Sequence, residues 1–213
     1  MYEPPLHRHD QIEALHALIR AHPLGLLISH GAHGLEANSI PFLIDPAASQ
    51  FGTLQAHMAR ANGQWRSLGG LDEVLVVFQG PEHYITPAWY QTKRDTGKVV
   101  PTWNYVMVQA RGRPRVMEDA GWLRAQIEAL TDKQERPRAA PWAVGDAPEP
   151  FIEAQIRAIV GVEIEIAHIS GKWKASQNRP EADRAGVIAG LAELGDEESM
   201  AMAAIVREAA PKG

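Results

Sequence analysis

Leu24-Gly25-Leu26-Leu27-Ile28-Ser29-His30, the turn Gly31-Ala32-His33-Gly34 and Leu35-Glu36-Ala37-Asn38-Ser39-Ile40-Pro41-Phe42-Leu43-Ile44 form one continuous stretch that decides the fold. An apolar run, a glycine-bounded turn and a second extended run read as a β-hairpin. Pro41 has no N–H to give to a ladder, so it calls for an edge position or a bulge. Just upstream the period is helical. Asp10-Gln11-Ile12-Glu13 has capping-box spacing, Ile12, Leu15 and Ile19 share a face, and Pro23 ends a helix over about Gln11 to Ala21.

Downstream the short strands continue. Thr53 to Met58 reads as a third strand, Ala59 to Trp65 as a short helix or turn, and Val74-Leu75-Val76-Val77-Phe78 as a buried β-branched strand. Tyr84 to Tyr90 begins extended and ends in a turn, and Gln91 to Lys98 is a polar loop. A long strand runs from Val99 to Ala110, and Arg113 to Met117 pairs back across Arg111-Gly112. Five or six strands with short turns and no long helices between them predict an antiparallel barrel, not a parallel nucleotide fold.

The rest of the chain mixes helices with one more strand. A helix is predicted at about Ala120 to Leu130, with Leu123, Ile127 and Leu130 on one face. A proline-bracketed loop around Trp142 follows, then a helical segment near Phe151 to Ala158. Val160 to Ile169 alternates as a half-buried strand. Asn178-Arg179-Pro180-Glu181 has capping-box spacing, and helices over about Glu181 to Leu194 and Glu197 to Ala209 close the chain. Gly186-x-x-x-Gly190 reads as a close-packing face, with an interface as one setting for it. The expectation is a single domain over 1–213, α+β and mainly β, with 181–209 as a C-terminal helical appendage.

Composition narrows the function classes. The 213 residues are 45% hydrophobic and 22% charged, which fits a globular domain. With no cysteine in the chain, disulfides, thiolate metal sites and cysteine nucleophiles are excluded. No apolar run approaches a membrane span, and the first residues have no signal-peptide core, so a cytoplasmic location is expected. A net charge of −5 disfavours a whole-surface nucleic-acid binder. GxGxxG, GxxxxGK[ST] and GxSxG are all absent. His7-x-His9 and His30-x-x-His33 are too loosely spaced to predict a metal, so no metal site is assigned.

The chemistry concentrates in Gly171-Lys172-Trp173-Lys174-Ala175-Ser176-Gln177-Asn178-Arg179-Pro180, between a strand end and a helix start. Cations, a hydroxyl, amides and an indole in one short segment suit an anionic, partly aromatic ligand. Pro101-Thr102-Trp103-Asn104-Tyr105 is its companion. Lys172 and Lys174 also fit a solvated strand edge that blocks pairing, Arg60 fits a surface ion pair, and Trp103 and Tyr105 fit core or interface packing.

Four blocks together resemble the PaiB family of FMN-binding negative transcriptional regulators. They are Leu35 to Phe42, His57-Met58-Ala59-Arg60-Ala61-Asn62, Pro101 to Tyr105, and Gly171-Lys172-Trp173-Lys174-x-Ser176-Gln177-Asn178. The resemblance runs from Met1 to about Leu191. The chain departs from it at Ser39, where the family usually has histidine, and at Gly63, where it often has proline. It implies a flavin-type split β-barrel that dimerises, with FMN at the subunit interface.

Carried onto this chain, the resemblance makes Asn38, Ser39, His57, Arg60, Asn62, Thr102, Trp103, Asn104, Lys174, Ser176 and Gln177 the cofactor-binding candidates. Arg60 and Lys174 are the cations for a phosphate of charge about −1.5 to −2. His57, Asn62, Ser176 and Gln177 supply neutral contacts to phosphate or ribityl, Thr102 and Asn104 meet the polar edge of the ring, and Trp103 or Trp173 covers its apolar face. Alternatives are a flavin-dependent oxidoreductase and a haem-handling protein of the same architecture. No catalytic residue is singled out among His57, His83 and His168. The turn at Gly195 between the last two helices has a helix-turn-helix look, but Asp196, Glu197 and Glu198 open the second helix and Arg207 is the only cation before Lys212. Packing is therefore expected there in preference to DNA reading.

Overall fold

The structure, a computed structural model, describes residues 1–31 and 34–209. The hairpin-turn residues Ala32 and His33, and Lys212 at the far end, lie outside them. Seven strands form one sheet: β1 (Arg8–His9), β2 (Leu24–Gly31), β3 (Gly34–Asp45), β4 (Thr53–Ala59), β5 (Val74–Ile85), β6 (Thr102–Met117) and β7 (Ile159–Lys174). The order is β1-β7-β4-β3-β2-β5-β6, and β6 also pairs with β7. The pairing from β2 to β7 therefore returns on itself and leaves no open edge within that circuit. The ladders β1–β7, β2–β3, β2–β5, β3–β4 and β4–β7 are antiparallel.

Seven α-helices punctuate the strands: α1 (Ile12–Ala21), α2 (Trp65–Leu68), α3 (Gln91–Thr96), α4 (Ala120–Glu135), α5 (Glu149–Arg157), α6 (Glu181–Leu194) and α7 (Glu197–Glu208). The chain folds as two compact units. One comprises Met1–Gln11, Gln79–Val108 and Ser170–Gly213; the other comprises Ile12–Phe78 and Gln109–Ile169.

In the second of these, the hairpin pairs Leu24 with Pro41 through to Gly31 with Gly34. Alternation buries Leu27, Ile40 and Phe42, and Phe42 meets Phe78 edge-on at 5.7 Å. Each such side chain contributes about 1.5–3 kcal/mol by leaving water. Helix α1 buries Leu15, Leu18 and Ile19, and its buried His16 bonds the Phe51 carbonyl at 2.9 Å. Pro41 is not on an edge strand, because β3 lies between β4 and β2. It falls where the β2 ladder ends and the β4 ladder begins at Phe42, so its missing N–H interrupts neither. Residues Leu123, Val144, Ile152 and Ile156 form a second small core under α4 and α5.

The expected turn at Arg111-Gly112 is absent, and β6 runs unbroken from Thr102 to Met117. Gly112 instead marks a close approach: a Cβ there would sit 1.9 Å from the Glu165 carbonyl oxygen. Gly161 plays the same part opposite Trp122, whose ring would lie 2.3 Å from an added Cβ.

In the first unit, Ile85, Tyr90, Val187, Leu191, Met202 and Val206 share one core with Ala175 and Ala203. Gly186 and Gly190 receive Trp89 of this same unit. An added Cβ would come within 1.9 Å of its carbonyl oxygen and 2.3 Å of its indole, respectively. The predicted polar loop at Gln91 is helix α3, held by the Asp183 carboxylate accepting from the Thr92 N–H at 2.8 Å. Helix α6 is capped by Pro180 without a side-chain bond, so the Asn178 capping box does not form. Helix α7 has Asp196 as its N-cap, accepting from the Ser199 N–H at 2.9 Å.

Candidate functional site

Strand β7 extends to Lys174, five residues past the predicted end, so the basic stretch starts on a strand. Alternation then sends Lys172 and Lys174 to one face and Trp173 to the other. Lys172 is only 8% exposed and lies between two aromatic rings, its Nζ 5.4 Å from the Tyr2 centroid and 5.3 Å from that of Tyr105. These cation–π contacts offset part of the lost hydration. Lys174 donates to Thr102 Oγ1 at 2.5 Å and to the Trp103 carbonyl at 2.7 Å. Burial pulls its pKa below the ordinary lysine value; Tyr105 opposes this, and Lys172 and Arg179 reinforce it. Among the described residues, neither lysine takes part in an ion pair.

The neighbouring polar groups interlock. Asn104, fully buried on β6, donates to Ser176 Oγ at 2.9 Å. Ser176 sits at φ 61°, a left-handed conformation that costs a non-glycine residue about 1–3 kcal/mol. Gln177 accepts from the Ala175 N–H at 2.8 Å, donates to the Trp173 carbonyl at 2.5 Å, and bonds His7 Nδ1 at 3.0 Å. Burial lowers the His7 pKa, the Gln177 bond opposes that, and the cations Lys174 and Lys172 add to it. Trp103 bonds the Glu82 carboxylate, meets Tyr84 edge-on at 5.9 Å and remains 48% exposed. Thr102, Trp103, Asn104, Lys174, Ser176 and Gln177 are thus one contiguous group. Its one ammonium, Lys174, fits a phosphate, its hydroxyls and amides a polyol, and the exposed indole a flat apolar ring.

The other candidates belong to the second unit. Asn38 donates to Gln64 Oε1 at 2.9 Å, and Asn62 Oδ1 accepts from the Gln64 N–H at 3.1 Å. Gln64, fully buried, also donates to Ser29 Oγ at 3.0 Å. Ser39 is exposed on the outer face of β3, opposite Leu26. His57 Nδ1 bonds Gln126 Oε1 at 2.7 Å, and among the described residues the Nε2 of the buried Gln126 has no partner. All three guanidinium nitrogens of Arg60 donate: Nε to the Arg157 carbonyl at 3.2 Å, one terminal nitrogen to Glu118 at 2.6 Å, the other to the Ile159 carbonyl at 3.1 Å. It also lies 5.7 Å from the Trp65 ring centroid.

Gln64 and Gln126 escaped the sequence reading. A single glutamine inside a turn or an amphipathic helix carries no periodic signal, and its burial is decided by the element packed against it. Lys172 was legible as a cation, but not its enclosure by Tyr2 and Tyr105.

The closed antiparallel sheet and peripheral helices define a split β-barrel, the fold shared with flavin-binding proteins. The flavocytochrome Anf3 of Azotobacter vinelandii matches at a TM-score of 0.58 and 16% identity, over 84% of this chain and 75% of that one. The FAD and heme binding protein of Mycobacterium smegmatis matches at 0.58 and 16%, over 78% and 73%. The family described as "Putative FMN-binding domain" matches residues 1–168, and the chain belongs to that family. It is 38% identical to the uncharacterized protein AN0679 of Emericella nidulans, over 98% of this chain and 97% of the relative. It is 27% identical to the protease synthase and sporulation protein PAI 2 of Bacillus subtilis, over 98% and 97%. Among the described residues no helix is long and apolar enough to cross a membrane.

Proposed function

We propose that this chain is a cytoplasmic, PaiB-like protein that binds FMN and works as a homodimer. The observation that carries the reading is the pair Lys172 and Lys174, one buried and one half-buried ammonium with no carboxylate partner among the described residues, beside Thr102, Asn104, Ser176 and Gln177. Lys174 holds the phosphate with Lys172 adding positive charge behind it, Thr102 and Gln177 meet the ribityl chain and the polar edge of the ring, the buried Asn104–Ser176 pair positions the segment, and Trp103 covers the ring. Trp173 is set aside because it lies on the opposite face of β7. Bound FMN supplies a redox-active ring; the chain binds and orients it.

In the second unit Asn38, Ser39, His57 and Asn62 are assigned from the resemblance as neutral contacts. Arg60 is taken as a structural tie because its nitrogens are already engaged. The homodimer is supported by an uncovered apolar face on β2, β3 and β5. Leu24 and Leu35 are 64% and 76% exposed, and Leu26, Ala37 and Ser39 lie on the same face. Direct DNA reading by α6 and α7 is not part of the proposal. The start of α7 is acidic, and its Met202, Ala203 and Val206 are packed into the core with Tyr90.

Titration with FMN, followed by fluorescence quenching of the flavin, tests the reading. Saturable one-to-one uptake that falls in Lys174→Ala supports it, and absence of uptake overturns it. NAD(P)H oxidation measured on the loaded sample then separates a reductase from a sensor or regulator.

A further inference from the structure

A cavity of about 210 Å³ lies in the first unit against Trp173 of β7, and Lys172 and Lys174 are not among its lining residues. Leu6, Ile205 and Ala209 give it apolar walls, and Arg8, His9, Trp173, Glu208 and Gln177, the last a flavin-site candidate as well, line the rest. His9 and Trp173 stack at 4.4 Å between ring centroids, and among the described residues His9 Nδ1 has no hydrogen-bond partner. Among the described residues Arg8 is the one cationic side chain lining the cavity, and its Nε is tied to Asp10 at 2.7 Å, which offsets its charge. Glu208 is then the charge left over among the lining residues. It is the last residue of α7, so the negative end of the helix dipole adds to its carboxylate.

We propose that this cavity is a binding site for a small organic monocation, a primary ammonium carried on a short apolar or aromatic body. The carboxylate and the helix end attract the charge, the indole face adds a cation–π contact, and Leu6 and Ile205 cover the body of the ligand. Burial lowers the His9 pKa, with Asp10 opposing, which favours the neutral imidazole, a form able to accept a hydrogen bond. A metal ion fits less well: among the described residues no group of three or more His, Asp or Glu is placed to hold one.

The probe is 2-phenylethylammonium, with 2-phenylethanol as its neutral counterpart, titrated into the purified full chain. The readout is the indole N–H resonance of Trp173, assigned by its loss in Trp173→Phe, with calorimetry alongside. The expected result is a saturable shift with the ammonium, and affinity lower by about tenfold or more both for the alcohol and in Glu208→Gln, as for one lost charge-assisted hydrogen bond. Equal affinity for the two probes, unchanged affinity in Glu208→Gln, or no saturable shift would each overturn the proposal. FMN uptake, scored on the same samples, stays unchanged in Glu208→Gln, so failure of this site is distinct from failure of the flavin reading.

Discussion

Lys174 shows how one residue acquires a role from its surroundings. Its ammonium is half-buried and oriented by Thr102 and a carbonyl, so its charge is fixed in place, and among the described residues no carboxylate pairs with it. Removing it in Lys174→Ala takes away a charge-assisted contact worth about 1.5–3 kcal/mol, so FMN affinity should fall by roughly ten- to a hundredfold or more. Arg60→Ala should behave differently. It breaks ties to Glu118, Arg157 and Ile159, so the melting temperature drops while flavin affinity holds; the reverse pattern would return Arg60 to the phosphate site.

Protonation is also argued at this scale. His7, His9 and His22 are all lowered from 6.5, with burial the first cause in each. The unfolded chain therefore takes up protons before the folded chain as pH falls through 6.5. Stability is held above that value and lost below it, toward the lower folded values. Thermal melts from pH 7.5 to 5.5 should show a falling midpoint, flattened in His7→Gln/His22→Gln. A midpoint independent of pH in the parent chain would refute the assignment.

At the scale of elements, glycines record where the chain comes closest to itself. Gly112→Val places carbon against the Glu165 carbonyl, and Gly186→Ala places it against that of Trp89. Backbone cannot yield as a flexible side chain does, so each change should cost about 3 kcal/mol or more. Gly145→Ala is the control, since an added Cβ there meets nothing within 4 Å. Chemical denaturation of the three variants checks the contrast. The same positions explain the misread elements. Gly112 looks like a turn residue when only neighbours in sequence are considered, and α3 looks like a loop because its six residues are stabilised by Asp183, 91 positions beyond Thr92.

For the whole molecule, the uncovered face of β2, β3 and β5 is the decisive surface. Leu26→Asp puts a charge in its middle, and burying that charge unpaired would cost several kcal/mol. Sedimentation should then show a dimer for the parent chain and a monomer for the variant. A dimer in both would move the interface elsewhere.

The sequence by itself determined the hairpin, the antiparallel character of the sheet, the approximate helices and the chemistry of the Lys172 to Gln177 segment. These follow from short-range periodicity and residue type, which any window of the chain displays. Its four blocks also pointed to the family. Only the tertiary structure decided that Lys174 meets Thr102 across 72 residues and that Arg60 is fully engaged. It likewise decided that Gln126 orients His57 and that a cavity opens behind Trp173. Those outcomes depend on strand pairing and packing between segments far apart in the chain, where one residue of register changes every neighbour, and no local pattern encodes them.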